Sequence, residues 1–80
     1  MEDERLYSMV GTRIKTIREQ KGLSQQDLSL ICNIEKTNLS RIEAGRTNLT
    51  IKNLYKISKA LKIRMKEIID VDEEDEKDFY

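Results

Sequence analysis

The stretch Leu23-Ser-Gln-Gln-Asp-Leu-Ser-Leu-Ile-Cys-Asn-Ile-Glu-Lys-Thr-Asn-Leu-Ser-Arg-Ile-Glu-Ala-Gly45 decides the fold, because it holds two short periodic segments with a sharp break between them. Leu23 is followed five residues later by Leu28, and Ile34 by Leu39. Apolar residues at that spacing across a cap position form the hydrophobic staple, which sets the angle at which a chain enters a helix. Ser24 is a good cap and Glu35 a poor one. The segments read as helices over about 25–31 and 36–43. Only Cys32, Asn33, Ile34 and Glu35 separate them. Asparagine tolerates the left-handed backbone that such a reversal needs, so Asn33 is the expected pivot.

Outward from this unit the same signature recurs. Leu49 with Leu54 and Ile63 with Ile68 repeat the staple, with Thr50 a good cap and Arg64 a poor one. They predict helices over about 51–61 and 65–70. Upstream, Leu6, Val10, Ile14 and Ile17 make one helical stripe over about 5–20, closed by Gly22 in the left-handed cap position. In the fourth helix Ile51, Leu54, Ile57, Ser58 and Leu61 share one face. Gly45 closes the third helix, and Arg46-Thr47-Asn48 forms a polar loop after it. The expected fold is therefore all-α, a compact five-helix bundle, with a helix-turn-helix at the second and third helices. It occupies 5–70, between an acidic start at 1–4 and an acidic tail at 71–80.

Composition agrees and narrows the function. Proline is absent, aromatic residues make up 5% of the chain, and three glycines are widely spread, which suits short helices and tight turns. Residues 5–69 hold 14 Lys/Arg against 5 acids, a balance of +9, while 1–4 carry −3 and 70–80 carry −6. A basic body flanked by acidic ends favours an anionic partner such as nucleic acid. Catalysis lacks its usual groups: there is no histidine, one cysteine, no Gly-rich phosphate loop and no nucleophile elbow. No metal or cofactor is expected. No apolar run nears the ~20 residues of a membrane span, and the start Met-Glu-Asp-Glu has no signal-peptide character. A cytoplasmic location is expected, in which the single Cys32 stays reduced and packs in the core.

The quoted stretch resembles the XRE family of bacterial and phage regulators, the helix-turn-helix proteins related to the lambda and 434 repressors and Cro. The likeness extends over Ile17-Arg-Glu-Gln-Lys-Gly22, Asn48-Leu-Thr-Ile-Lys-Asn-Leu54, Lys59-Ala-Leu61 and Glu67-Ile-Ile69, and so runs through residues 17–69 of the 80. Asn33 and Asn48-Leu-Thr-Ile are similar to controller proteins of restriction-modification systems. Asn33 stands where the family commonly has glycine, and Glu35 and Arg64 stand where it has better caps. The resemblance implies a non-enzymatic, sequence-specific regulator of transcription, a repressor or autoregulator, that binds double-stranded DNA.

Stepping ~100° per residue from Lys36, Leu39 and Ile42 face inward, while Thr37, Ser40, Arg41 and Ala44 face outward with Lys36 and Asn38 on the flanks. A helix seated in the major groove reads bases with such residues. Lys36, Thr37, Asn38 and Arg41 are the expected base contacts. Arg41 can reach guanine O6 and N7 bidentately, and Glu35 has cytosine N4 as its natural partner. The resemblance implies backbone or positioning roles for Gln25, Ser40, Arg46 and Asn48, and a salt bridge between Arg18 and Glu43. It also implies a homodimer on a pseudo-palindromic operator, for which the fifth helix offers Met65, Ile68 and Ile69. Two alternatives stand beside this reading. One is an antitoxin, with Phe79 and Tyr80 in the acidic tail toward a toxin partner. The other is a protein-interaction module that has lost DNA binding.

Overall fold

The computed structural model describes residues 3–70. These form α1 (Asp3–Gln20), α2 (Gln25–Cys32), α3 (Lys36–Glu43), α4 (Ile51–Leu61) and α5 (Met65–Ile68), with no strand among the described residues. Helix α1 packs on α3 and α5, and α4 packs on α2 and α5, so α2 and α3 are each backed by a longer helix.

Local chemistry explains the helix ends. Asp3 and Glu4 fall in the first turn of α1, where carboxylates complement the exposed N–H groups and the helix dipole. Asp3 and Glu4 of the acidic start therefore belong to the helix, which begins two residues earlier than the apolar stripe indicates, and residues 1–2 lie outside the described residues. At its other end Gly22 takes φ +72°, with Leu23 N–H donating to Arg18 O at 3.1 Å and Gly22 N–H to Glu19 O at 3.0 Å. That pair of bonds is the Schellman motif. Helix α2 starts with a reciprocal box. Ser24 Oγ accepts from Asp27 N–H at 3.0 Å, and the Asp27 carboxylate accepts from Ser24 N–H at 2.9 Å. The bond from Ser24 N–H to the carboxylate, then the Ser24 hydroxyl beside the same carboxylate, lowers the Asp27 pKa below its ordinary value. The contribution of this box is present above the ordinary carboxylate range and fades as acidification passes the lowered value.

Asn33 is left-handed, φ 55°, ψ 46°, and turns the chain from α2 into α3. Glu35 makes no side-chain cap, as its chemistry leads one to expect. Thr50 Oγ1 caps α4 through Asn53 N–H at 3.1 Å. Lys62, at φ 59°, closes α4 in the left-handed region, where a glycine or asparagine is usual. Arg64 heads α5 without a side-chain cap of its own, and the Glu67 carboxylate instead accepts from Arg64 N–H at 2.8 Å. Helix α5 ends at Ile68, two residues sooner than expected.

The staples divide their labour. The second members, Leu28, Leu39, Leu54 and Ile68, enter the core with Ile14, Ile17, Ile42, Ile57 and Leu61. Leu23, Leu49 and Ile63 pack at its edge. Cys32 is in this core, where desolvation raises its thiol pKa. Two expectations change. Ile51, placed by periodicity on one face with Leu54, Ile57 and Leu61, is 73% exposed: it is the first helical residue and lines an open groove with Leu6 and Val10 of α1. Ile68, expected at a surface between two chains, has 0% exposure and sits inside the single protomer.

Gly11 sets the spacing of α1 and α3. A Cβ there would run into Ile42 O and come within 2.7 Å of Glu43 O, both main-chain atoms that cannot swing aside. Gly11→Ala gains up to ~1 kcal/mol of helix propensity but forces the helices apart, and overpacking of this kind costs about 1–3 kcal/mol or more. Urea unfolding is expected to show net destabilisation. An unchanged midpoint would mean that the crossing is looser in solution than this geometry requires.

Candidate nucleic-acid interface

Helix α3 is held by its inner side. Leu39 and Ile42 are buried, and this fixes which residues face out: Lys36, Thr37, Ser40, Arg41 and Ala44 are exposed, and Asn38 is half-buried. The outward set matches the one obtained by stepping round the helix, because one stripe of a short helix determines the rest. The helix closes with Arg46 N–H donating to Arg41 O at 2.9 Å and Gly45 N–H to Ile42 O at 3.1 Å. Gly45 is left-handed, φ +72°, and lies against α1, where a Cβ would meet Ser8 Cα at 2.5 Å. The loop carrying exposed Arg46 and Asn48 is thereby tied both to the end of α3 and to α1.

Behind this surface lies a buried polar hub. Glu43 accepts from Arg18 Nε at 2.7 Å and from Arg18 Nη2 at 2.9 Å, a two-pronged pair. The hydrogen bond to Glu43 raises the Arg18 pKa above its ordinary value, against the opposing effect of desolvation. Arg18 Nη1 also donates to Leu23 O at 2.7 Å, just ahead of α2. Gln25 Nε2 donates to Glu43 Oε1 at 2.9 Å. One carboxylate at the end of α3 therefore gathers α1, the start of α2 and α3 itself. Sequence reading pairs Arg18 with Glu43 but does not find Gln25 as the third member. The bond depends on α2 and α3 meeting at a particular angle.

The expected contact residues come from three joined elements: the start of α2, bonded to Glu43 through Gln25, the loop after Gly45, bonded to Arg41 O through Arg46 N–H, and the outer face of α3. A polar depression on its flank is lined by Asn33, Glu35, Thr37, Asn38, Arg41 and Asn53. Asn53 comes from α4, and nothing in its spacing announces it. The fifth-helix residues do not stay together. Ile68 is enclosed, Met65 is half-buried against the core, and only Ile69 is open, at 53% exposure. Ile69 lines an apolar groove with Leu6, Val10, Leu49, Ile51 and Leu54. Among the described residues no group of three or more His, Cys, Asp or Glu could hold a metal ion. No helix there is long and apolar enough to cross a membrane.

This arrangement has close parallels. Control protein C.BamHI of Bacillus amyloliquefaciens is 36% identical over 63 residues, 78% of this chain and 78% of its own length. The HTH-type transcriptional regulator SinR of Bacillus subtilis is 37% identical over 71 residues, 88% of this chain and 64% of that protein. The restriction-modification controller protein C.AhdI from Aeromonas hydrophila superposes with a TM-score of 0.76 at 29% identity, over 78% of this chain and 94% of that one. The helix-turn-helix model HTH_3 matches residues 14–68, which contain the buried hub, α3 and the loop beyond it. With that match over most of its length, the chain belongs to the HTH_3 family of XRE-type helix-turn-helix transcriptional regulators.

Proposed function

We propose that this protein binds double-stranded DNA sequence-specifically as a homodimer on a pseudo-palindromic operator and acts as a transcriptional repressor or autoregulator without catalysis, in the manner of a restriction-modification controller protein. The observation that carries the reading is helix α3. Leu39 and Ile42 anchor it, and Lys36, Thr37, Ser40 and Arg41 project together into solvent. A helix so mounted fits the major groove, with its outward side chains at base edges. The controller role is supported by the likeness to control protein C.BamHI, 36% identical, and to the controller protein C.AhdI, which superposes with a TM-score of 0.76.

Roles within the surface follow from chemistry. Lys36, Thr37, Asn38 and Arg41 read bases. Arg46 and Asn48 grip the phosphate backbone from the loop, and Ser40 assists from the outer face of α3. Gln25 positions α3 through Glu43 while its backbone N–H, in the first turn of α2, faces phosphate. The cytosol is the compartment for such a role. The second copy lies on the groove of Leu6, Ile51 and Ile69, while Met65 packs against the core and does not line it. Ile68 supports this surface from within the core.

Site selection from random DNA tests the assignment. Lys36→Ala and Arg41→Ala should each weaken specific binding by about 1–3 kcal/mol and alter separate columns of the selected motif. Arg46→Ala should weaken specific and random DNA about equally and lower the salt slope by roughly one. Full affinity with an unchanged motif in the first two variants would put recognition on another surface.

A further inference from the structure

Helices α2 and α4 present a second apolar surface that DNA binding does not use. Leu30 is 71% exposed, Ile31 57% and Tyr55 51%. Ile31, Cys32, Tyr55, Lys56, Lys59 and Ala60 line one shallow depression between the two helices, with Cys32 buried at its floor. Lys59 Nζ stands 5.3 Å from the Tyr55 ring centroid, over the face of the ring. Lys52 lies one turn before Lys56 on α4. The only acid on either helix is Asp27, and its carboxylate is engaged by Ser24 N–H. The surface is therefore basic and apolar at once.

One segment of this chain has the complementary chemistry. Residues 70–80, Asp-Val-Asp-Glu-Glu-Asp-Glu-Lys-Asp-Phe-Tyr, carry seven acids and one lysine and end in two aromatic residues. The chain passes into this segment beside α4, because Ile69 shares its groove with Ile51 and Leu54. Ile51, Tyr55 and Lys59 recur every four residues, so they follow one ridge of α4, about 12 Å long at 1.5 Å per residue. Ten residues can span up to about 33–36 Å. We propose that residues 71–80 dock in cis along α4, the acids on Lys52, Lys56 and Lys59, and Phe79 and Tyr80 against Ile31, Tyr55 and Ala60. Tethering over so short a span supplies a millimolar effective concentration, so weak contacts suffice. The outer face of α3 is the poorer seat. It offers Lys36 and Arg41 but no exposed large apolar residue, and it begins at Glu35. Docking on α4 covers the apolar surface and keeps the acidic run off the side that meets phosphate.

A nitroxide on Asp78→Cys in the full chain tests this. Cys32 can remain, since its thiol is buried and its pKa raised. NMR should show selective loss of the Leu30, Ile31, Tyr55 and Lys59 amide signals, with those of Lys36, Thr37 and Arg41 retained. The loss should fall with added salt and disappear in Lys56→Glu/Lys59→Glu. In the Ile69→Asp chain, where the second copy is released, a sample mixing nitroxide-bearing chains with isotope-labelled chains lacking the nitroxide should show none. Loss centred on α3 overturns the proposal, because the segment then covers the DNA-facing side. Loss in the mixed sample overturns the cis arrangement, and weak loss spread evenly over the chain overturns docking altogether.

Discussion

Glu43→Ala is expected to destabilise the protein by about 3–5 kcal/mol, the range seen when one partner of a buried ion pair is removed. The Glu43 side chain is 2% exposed and that of Arg18 8%, so water cannot take over the lost bonds. The substitution strips two hydrogen bonds from Arg18 and the one from Gln25 and leaves a guanidinium charge in the interior. A domain of this kind has only about 5–15 kcal/mol of stability in total, so chemical denaturation should show a much earlier midpoint. Arg18→Met/Glu43→Leu should recover most of the loss, since apolar packing can replace a whole buried pair at little cost. It should not recover operator affinity, because Gln25 then has no partner and the angle between α2 and α3 is no longer held. A Glu43→Ala midpoint within 1 kcal/mol of the parent would mean that the hub is solvated and that packing alone orients α3.

Ile69→Asp is expected to leave a folded monomer whose operator affinity is lower by about 10²–10⁴-fold, the avidity of a linked second half-site. Ile69 is 53% exposed and contributes to an open groove, so the single chain tolerates a carboxylate there. Between two copies the same carboxylate is desolvated and faces its symmetry mate. Rigid dimers place recognition helices about 34 Å apart, one DNA turn, and a monomer loses that register. Ile51→Asp should behave alike. Ile68→Asp should instead unfold the chain, because Ile68 is fully enclosed. Sedimentation with circular dichroism separates these outcomes. An Ile69→Asp protein that remains dimeric would move the interface to another surface.

Much of this was legible in sequence. Four staples, the caps Ser24 and Thr50, and the left-handed positions Gly22, Asn33 and Gly45 each act within six residues or fewer, so spacing alone locates the helices and their turns. The outer face of α3 follows for the same reason, since the burial of Leu39 and Ile42 leaves Lys36, Thr37, Ser40 and Arg41 only one way to point. What periodicity could not do was rank apolar residues by exposure. Ile51, Ile68 and Ile69 are chemically alike, yet one opens a helix at the surface, one closes the core and one lines a groove. That ranking depends on where neighbouring helices end. Gln25 joining Glu43, Arg13 Nε reaching Glu67 O at 2.9 Å, and Asn53 joining the flank of α3 are likewise meetings across 12 to 54 positions. Local chemistry, acting over one turn, determined the helices and the recognition face; the angles between helices, set by whole-core packing and by the Gly11 crossing, decided which surfaces meet.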